Sequence, residues 1–232
     1  KSAKYTYPGT VVVNRNVPAQ NRQQHGNQLK SQLDQLTQAQ SDISELAENY
    51  DLESSLGIQV AFESFPGVEM AVESLADAQQ GIELLNVRYT GNQVCATIFV
   101  PQGKLATIDK KLQAYLEHKK DINGRPIDNQ KLIDAIQTFK VAALDALWTD
   151  NSDQLPKDIN ETFWWEIWLP VLDDRQAVIH DFKLLAKSAN IQVSDQILEF
   201  PERSVLLAKG SRRSFSNSVL LLSKVSELRR AK

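Results

Sequence analysis

The stretch Phe163-Trp164-Trp165-Glu166-Ile167-Trp168-Leu169 constrains this chain more than any other seven residues. Large aromatic and β-branched side chains suit a pleated strand. Successive side chains of a strand point to opposite faces, so Phe163, Trp165, Ile167 and Leu169 share one face and Trp164, Glu166 and Trp168 the other. The first set reads as core. The second places a carboxylate between two indoles. Such a face either packs under a helix or between units, or stands half-exposed as a partner-binding surface. Trp164, Glu166 and Trp168 are therefore the candidate partner-binding residues.

The pattern around this strand predicts its neighbours. A helix is expected over Arg175–Ala189, strands near Ile191–Val193 and Ile197–Ala208, and a C-terminal helix over Phe215–Arg230 with Val219, Leu222, Val225 and Leu228 apolar. An earlier block repeats the order. Ile58–Glu63 alternates as a strand, Pro66-Gly67 makes a turn, and Val68–Ala76 reads as a short helix. Ile82–Tyr89 and Gln93–Val100 form a hairpin through Thr90-Gly91-Asn92, and Lys104–His118 is a helix with Leu105, Ile108, Leu112 and Tyr115 at helical spacing. That order, β-α-β-β-α, is most of a ferredoxin-like split βαβ unit whose fourth strand must come from elsewhere.

Residues 1–28 are polar, and helix takes over near Gln23. Leu29, Leu36 and Ile43 recur every seven residues, with Leu33, Ala39 and Leu46 on the same face. This stripe fits a long helix packed on its own domain or an intermolecular coiled coil. Lys131–Trp148 reads as an apolar bridging helix. The expected class is thus α+β, with two ferredoxin-like, propeptide-like split βαβ units, a long N-terminal helix and a C-terminal helix. Residues 1–56 form the arm and long helix, 57–122 the first unit, 123–160 the bridging helix and loop, and 161–232 the second unit.

Composition narrows the functions. Cys95 is the only cysteine, so the chain holds neither an internal disulfide nor a thiolate zinc site; cytoplasmic residence is expected. No apolar run approaches the roughly 20 residues of a membrane span, and the first residues lack the apolar segment of a signal peptide. Residues 1–33 carry five Lys/Arg and no acid, and residues 203–232 carry eight against one, which leaves 13 basic and 28 acidic residues between them. Basic ends on an acidic body suggest docking within the molecule, with nucleic-acid contact as the weaker reading for want of interleaved aromatics. There is no Gly-x-Ser-x-Gly elbow, no His-Glu-x-x-His and no Gly-rich phosphate loop. His25, His118 and His180 read as structural or solvated, and His180 and Asp181, adjacent on a helix, as too far apart in direction for an easy dyad. No catalytic residue, metal ligand or cofactor is assigned.

Seven segments in order resemble the N-terminal region of a family of bacterial subtilisin-like serine peptidases often encoded beside an AAA-type ATPase. They are Arg22…His25-Gly26-x-x-Leu29, Phe62-Glu63-Ser64-Phe65-Pro66-Gly67, Gly81-Ile82-Glu83-Leu84-Leu85-Asn86-Val87-Arg88, and Ala96-Thr97-Ile98-Phe99-Val100-Pro101-x-Gly103-Lys104-Leu105. Ala146-Leu147-Trp148-Thr149-Asp150, Trp164–Leu169 and Leu198-Glu199-Phe200-Pro201-Glu202-Arg203-x-Val205 complete the set. The resemblance implies a region that precedes the subtilase domain, whose Asp, His and Ser blocks are absent here. It also implies a prodomain-like, regulatory or chaperone-like role, docked on the catalytic domain of the same protein. An adaptor for the companion ATPase or a substrate is the alternative. A helical tail argues against a cleft-blocking segment, which must be extended.

Overall fold

The computed structural model describes residues 17–232; residues 1–16 of the expected arm lie outside the described residues. Helix α1 spans Arg22–Ala47 and is capped by Asn21, whose side chain accepts from the Gln24 amide. Its stripe is intramolecular: Leu29, Leu33, Leu36, Ile43 and Ala47 are buried, and α1 packs on the first sheet and on α2 (Ala106–Leu116). Leu46, expected on that stripe, is instead exposed. Gly26 lets α1 approach α2, because a Cβ there would meet the Leu116 side chain.

The first sheet contains β1 (Gly57–Ser64), β2 (Glu83–Thr90), β3 (Gln93–Pro101) and β4 (Ile136–Val141) in the order β2-β3-β1-β4, all antiparallel. This is the ferredoxin-like arrangement. The fourth strand lies inside the segment expected to be a bridging helix. Lys131–Trp148 is instead a short α3 (Gln130–Ile133), β4, and a short α4 (Leu144–Leu147). The correction has a simple cause: β4 pairs with β1, Phe139 opposite Phe62 and Val141 opposite Val60, and that long-range partner outweighs local helical spacing. The expected helix over Val68–Ala76 shrinks to one 3-10 turn at Val72–Leu75, while α1 lies along β1 and β4. The hairpin turn is as expected, with Gly91 (φ +59°) and Asn92 between the paired Thr90 and Gln93.

The second sheet repeats the order. Strands β5 (Thr162–Pro170), β6 (Gln192–Glu199), β7 (Arg203–Ser211) and β8 (Glu227–Arg230) run β6-β7-β5-β8, again antiparallel. Helix α5 (Arg175–Ser188), N-capped by Asp174, makes the first crossover. The expected C-terminal helix over Phe215–Arg230 is not formed. In its place stand the short α6 (Arg212–Ser216) and α7 (Val219–Leu222) and the strand β8. Leu228 sits opposite Ile167, so Val225 and Leu228 fill the core as parts of an extended segment, not as one helical stripe.

Both faces of β1 are buried apart from Glu63, because the second unit covers the back of the first sheet. Three buried polar side chains on that back face donate to backbone carbonyls. Asn86 Nδ2 reaches Ser226 O at 2.9 Å, Thr97 Oγ1 reaches Ala146 O at 3.4 Å, and Gln59 Nε2 reaches the carbonyls of Ser223 and Val225. Their donors end on main-chain acceptors and fix how the units meet, while the side-chain oxygens of Gln59 and Asn86 stay buried without a partner. One continuous apolar core results. At the start of β1, a Cβ on Gly57 would overlap the Phe99 ring and the Val100 carbonyl. Gly57→Ala is expected to lower the unfolding free energy by about 1–3 kcal/mol in urea melts; an unchanged midpoint would show that the Phe99 ring and the Val100 carbonyl both give way.

Candidate partner-binding face

The seven-residue tryptophan strand is β5, and its alternation is as the sequence predicts. Phe163, Trp165, Ile167 and Leu169 are buried, and Trp165 meets Phe163, Phe215 and Trp148. Trp164, Glu166 and Trp168 share the opposite face, which neither the first unit nor a helix of the second covers as a layer. Trp164 is 37 % exposed, and Glu166 and Trp168 are half-buried.

Register completes the face. Lys209, Leu207 and Val205 of β7 lie opposite Trp164, Glu166 and Trp168, and Leu198 of β6 lies opposite Val205. On the other side Arg229 and Glu227 of β8 stand opposite Glu166 and Trp168. The sequence alone did not assign these neighbours. Leu198 is 64 % exposed, and Leu207 and Phe200 are also open. Alternation within 203–211 carries the signal for Leu207. Arg229 could not be found that way, because the expected helix misplaced it.

The polar groups are held by one another. The Trp168 indole N–H donates to Glu166 Oε1 at 2.7 Å, so this carboxylate is engaged and orients the ring. The Arg229 guanidinium lies 4.5 Å from the Trp168 ring centre and bonds Glu227 at 2.7 Å and Thr149 at 3.1 Å. Phe200 stacks on Trp168 with centroids 5.8 Å apart, and Lys209 stands 5.9 Å from Trp164. The result is an exposed apolar strip with fixed aromatic anchors and a cationic margin, the composition of a protein-recognition core.

Two other polar clusters are buried. Asp181 on α5 accepts from the Glu53 amide (2.8 Å), the Ser54 amide (2.9 Å) and the Ser54 hydroxyl, with Lys224 Nζ at 3.4 Å. Burial alone would raise the Asp181 pKa; the Ser54 hydroxyl, the two amides and Lys224 outweigh it and hold the carboxyl below its ordinary value. Burial pulls the Lys224 ammonium down, partly offset by Asp181. His180 Nδ1 lies 3.4 Å from Asp181 Oδ1, closer than adjacency on a helix suggested. The Ser54 hydroxyl donates directly to the carboxylate, with no imidazole between, so these residues make a staple and not a nucleophilic triad. The second cluster joins Arg22, His25, Tyr115, Asp128 and Asp134. Burial and the hydrogen bond to Asp134 raise the Tyr115 pKa. Among the described residues no group of His, Cys, Asp and Glu has a metal-binding arrangement, and no helix is long and apolar enough to cross a membrane.

Residues 23–143, just over half the chain, match the Y4kK N-terminal domain family. The chain belongs to that family. Its match runs from the first turn of α1 to just past β4, so the shared Y4kK N-terminal domain is α1 together with the whole first sheet. The face on β5 lies outside it. A comparison with curated proteins finds no match.

Proposed function

We propose that this chain is the non-catalytic N-terminal region of a subtilisin-like serine peptidase, acting as a prodomain-like regulator or chaperone. It docks on the peptidase's own catalytic domain through the outer face of the second sheet. The observation that carries this reading is that face: Trp164, Trp168, Leu198, Phe200 and Leu207 present apolar surface on a four-stranded unit, while the same side of the first sheet is buried. Seven resembling segments distributed along the chain support the choice of partner. Cytoplasmic residence belongs to the same reading.

Charge supports docking over nucleic-acid binding. Of the eight basic residues in 203–232, Arg203, Arg212, Lys224 and Arg229 pair with Glu83, Asp145, Asp181 and Glu227. Much of the tail's positive charge is therefore already used inside the molecule. β8 is extended but paired with β5, and α6 and α7 precede it, so the inhibition proposed here acts through the face and not through a cleft-blocking tail. The adaptor reading, in which α1 engages a companion AAA-type ATPase, has less support, because the apolar stripe of α1 is spent on its own core.

The test is to titrate the chain into a peptide-hydrolysis assay of the separately expressed subtilase domain. Saturable inhibition near one-to-one is expected. Trp168→Ala should weaken it about 30-fold or more, as loss of an interfacial aromatic anchor does, with the fold checked by circular dichroism. Inhibition by a folded Trp168→Ala chain equal to wild type would remove this face from the reading, and no inhibition at all would transfer the weight to the ATPase adaptor.

A further inference from the structure

We propose that Arg22, His118 and Asp128 form a pH-sensitive clasp, which holds the first turn of α1 on the excursion 118–128 and loosens when His118 takes up a proton. Arg22 is the first residue of α1. Its guanidinium lies 4.2 Å from the Tyr115 ring centre, pairs with Asp128, and places Nη1 2.8 Å from His118 Nδ1. A guanidinium has donors and no acceptor. The contact therefore requires a lone pair on His118 Nδ1, which means a neutral imidazole protonated on Nε2. Protonation turns Nδ1 into a donor and sets two cations N–H against N–H at hydrogen-bond distance.

His118 has a fixed backbone and an exposed side chain. It follows α2 in the left-handed region, φ +51°, where a non-glycine residue is held by its surroundings. Its own amide bonds Tyr115 O and the Lys119 amide bonds Ala114 O, both closing the helix end. The excursion then doubles back, with the Ile127 amide on Lys119 O at 2.9 Å and Lys120 bridged to Pro126. His118 and Asp128 thus stand at the two ends of one narrow loop, on either side of Arg22.

The surrounding charges favour loosening over release. Asp128 is buried, which would raise its pKa, but Arg22 and the Gln130 amide hold it below the ordinary carboxylate value. It stays charged through the range in which an imidazole titrates and keeps one grip on Arg22. Tyr115 gives its hydroxyl to Asp134 at 2.6 Å, and His25, from α1, is buried between the Ile136 carbonyl and the Tyr115 hydroxyl. Glu117 and Lys119 flank His118 along the chain, with opposite charges. His180, by contrast, faces the carboxylates of Asp181 and Glu53. Among the three histidines, His118 alone is set against a cation.

The test is hydrogen exchange by mass spectrometry at about pH 7.5 and about pH 5.5, corrected for the chemical exchange rate. Segments covering 22–30 and 116–128 should open about three- to fivefold more readily at the lower pH, the scale of one exposed charged contact. His118→Asn supplies the control: its side-chain oxygen can accept from Arg22, it tolerates left-handed backbone, and it does not titrate. The variant should show no such change. Equal protection of the wild type at both values, or the same loss in His118→Asn, overturns the clasp. Imidazole nitrogen shifts give a second readout: an Nε2–H tautomer is expected at the higher pH, and an Nδ1–H tautomer overturns the proposal.

Discussion

Replacing Asp181 by alanine is expected to destabilise the protein by about 3–5 kcal/mol, the range found when one partner of a buried ion pair is removed. Asp181 is fully buried and Lys224 is 2 % exposed. The carboxylate serves three donors on the segment joining α1 to β1 and one ammonium on the segment joining α7 to β8. Its loss leaves two amides unpaired and Lys224 without a counter-charge, held only by the Ser54 hydroxyl at 2.7 Å and the Ser55 carbonyl at 3.3 Å. Urea unfolding followed by circular dichroism measures the effect. Lys224→Met in the same chain should recover part of the loss, because the orphaned ammonium is then gone; no recovery would mean that the amides of Glu53 and Ser54 dominate.

The pH dependence of these two groups has the same sign, stability rising with pH, but in different ranges, acidic for Asp181 and alkaline for Lys224. Asp181 has a folded pKa below its unfolded one, so its contribution is present above the unfolded value of about 3.9 and is lost as pH falls through the folded value. Lys224 is also depressed, but as a base: its charged form is disfavoured by folding. Without Asp181 that depression deepens. The stability of Asp181→Ala should therefore climb as pH rises through the alkaline range, whereas wild type should be flatter there. A variant curve parallel to wild type would show that Lys224 reaches solvent once its partner is gone.

Trp165→Ala is the second large effect, about 3–5 kcal/mol. The ring is fully buried, with centroids 4.2 Å from Phe163, 4.7 Å from Phe215 and 5.7 Å from Trp148. Its indole N–H bonds Gly210 O at 2.9 Å. Trp148 follows α4, immediately after the first sheet, so the cavity would open where the two units join. Trp164→Ala, one residue earlier, should cost no more than about 1 kcal/mol, since that ring is open to solvent. The pair is measured by the same urea melts. Similar costs for the two would contradict the assignment of faces on β5.

That contrast was legible in the sequence, because a period of two depends on nothing beyond the strand itself. The same holds for α1, whose stripe of Leu29, Leu36 and Ile43 needs only one apolar side to pack against. Neither Ile136–Val141 nor Glu227–Arg230 could be read that way. Each is a short run with apolar residues compatible with either period, and each becomes a strand because a central strand, β1 or β5, offers it an unfilled edge. The error was shared by both units and removed the fourth strand from each.

The candidate face divides along the same line. Trp164, Glu166 and Trp168 follow from alternation, but Leu198, Leu207 and Arg229 join them only through pairing register between separate strands. Charge balance showed that the basic ends needed acidic partners. That Arg203 would find Glu83 and Lys224 would find Asp181 required the two sheets to be packed. The sequence by itself determined the α+β class, the repeated element order and the inner and outer faces of β5, since these follow from side-chain periodicity within a few residues. Tertiary structure alone decided the fourth strand of each sheet and which face stays open, because both depend on where distant segments find a free edge or an unburied apolar surface.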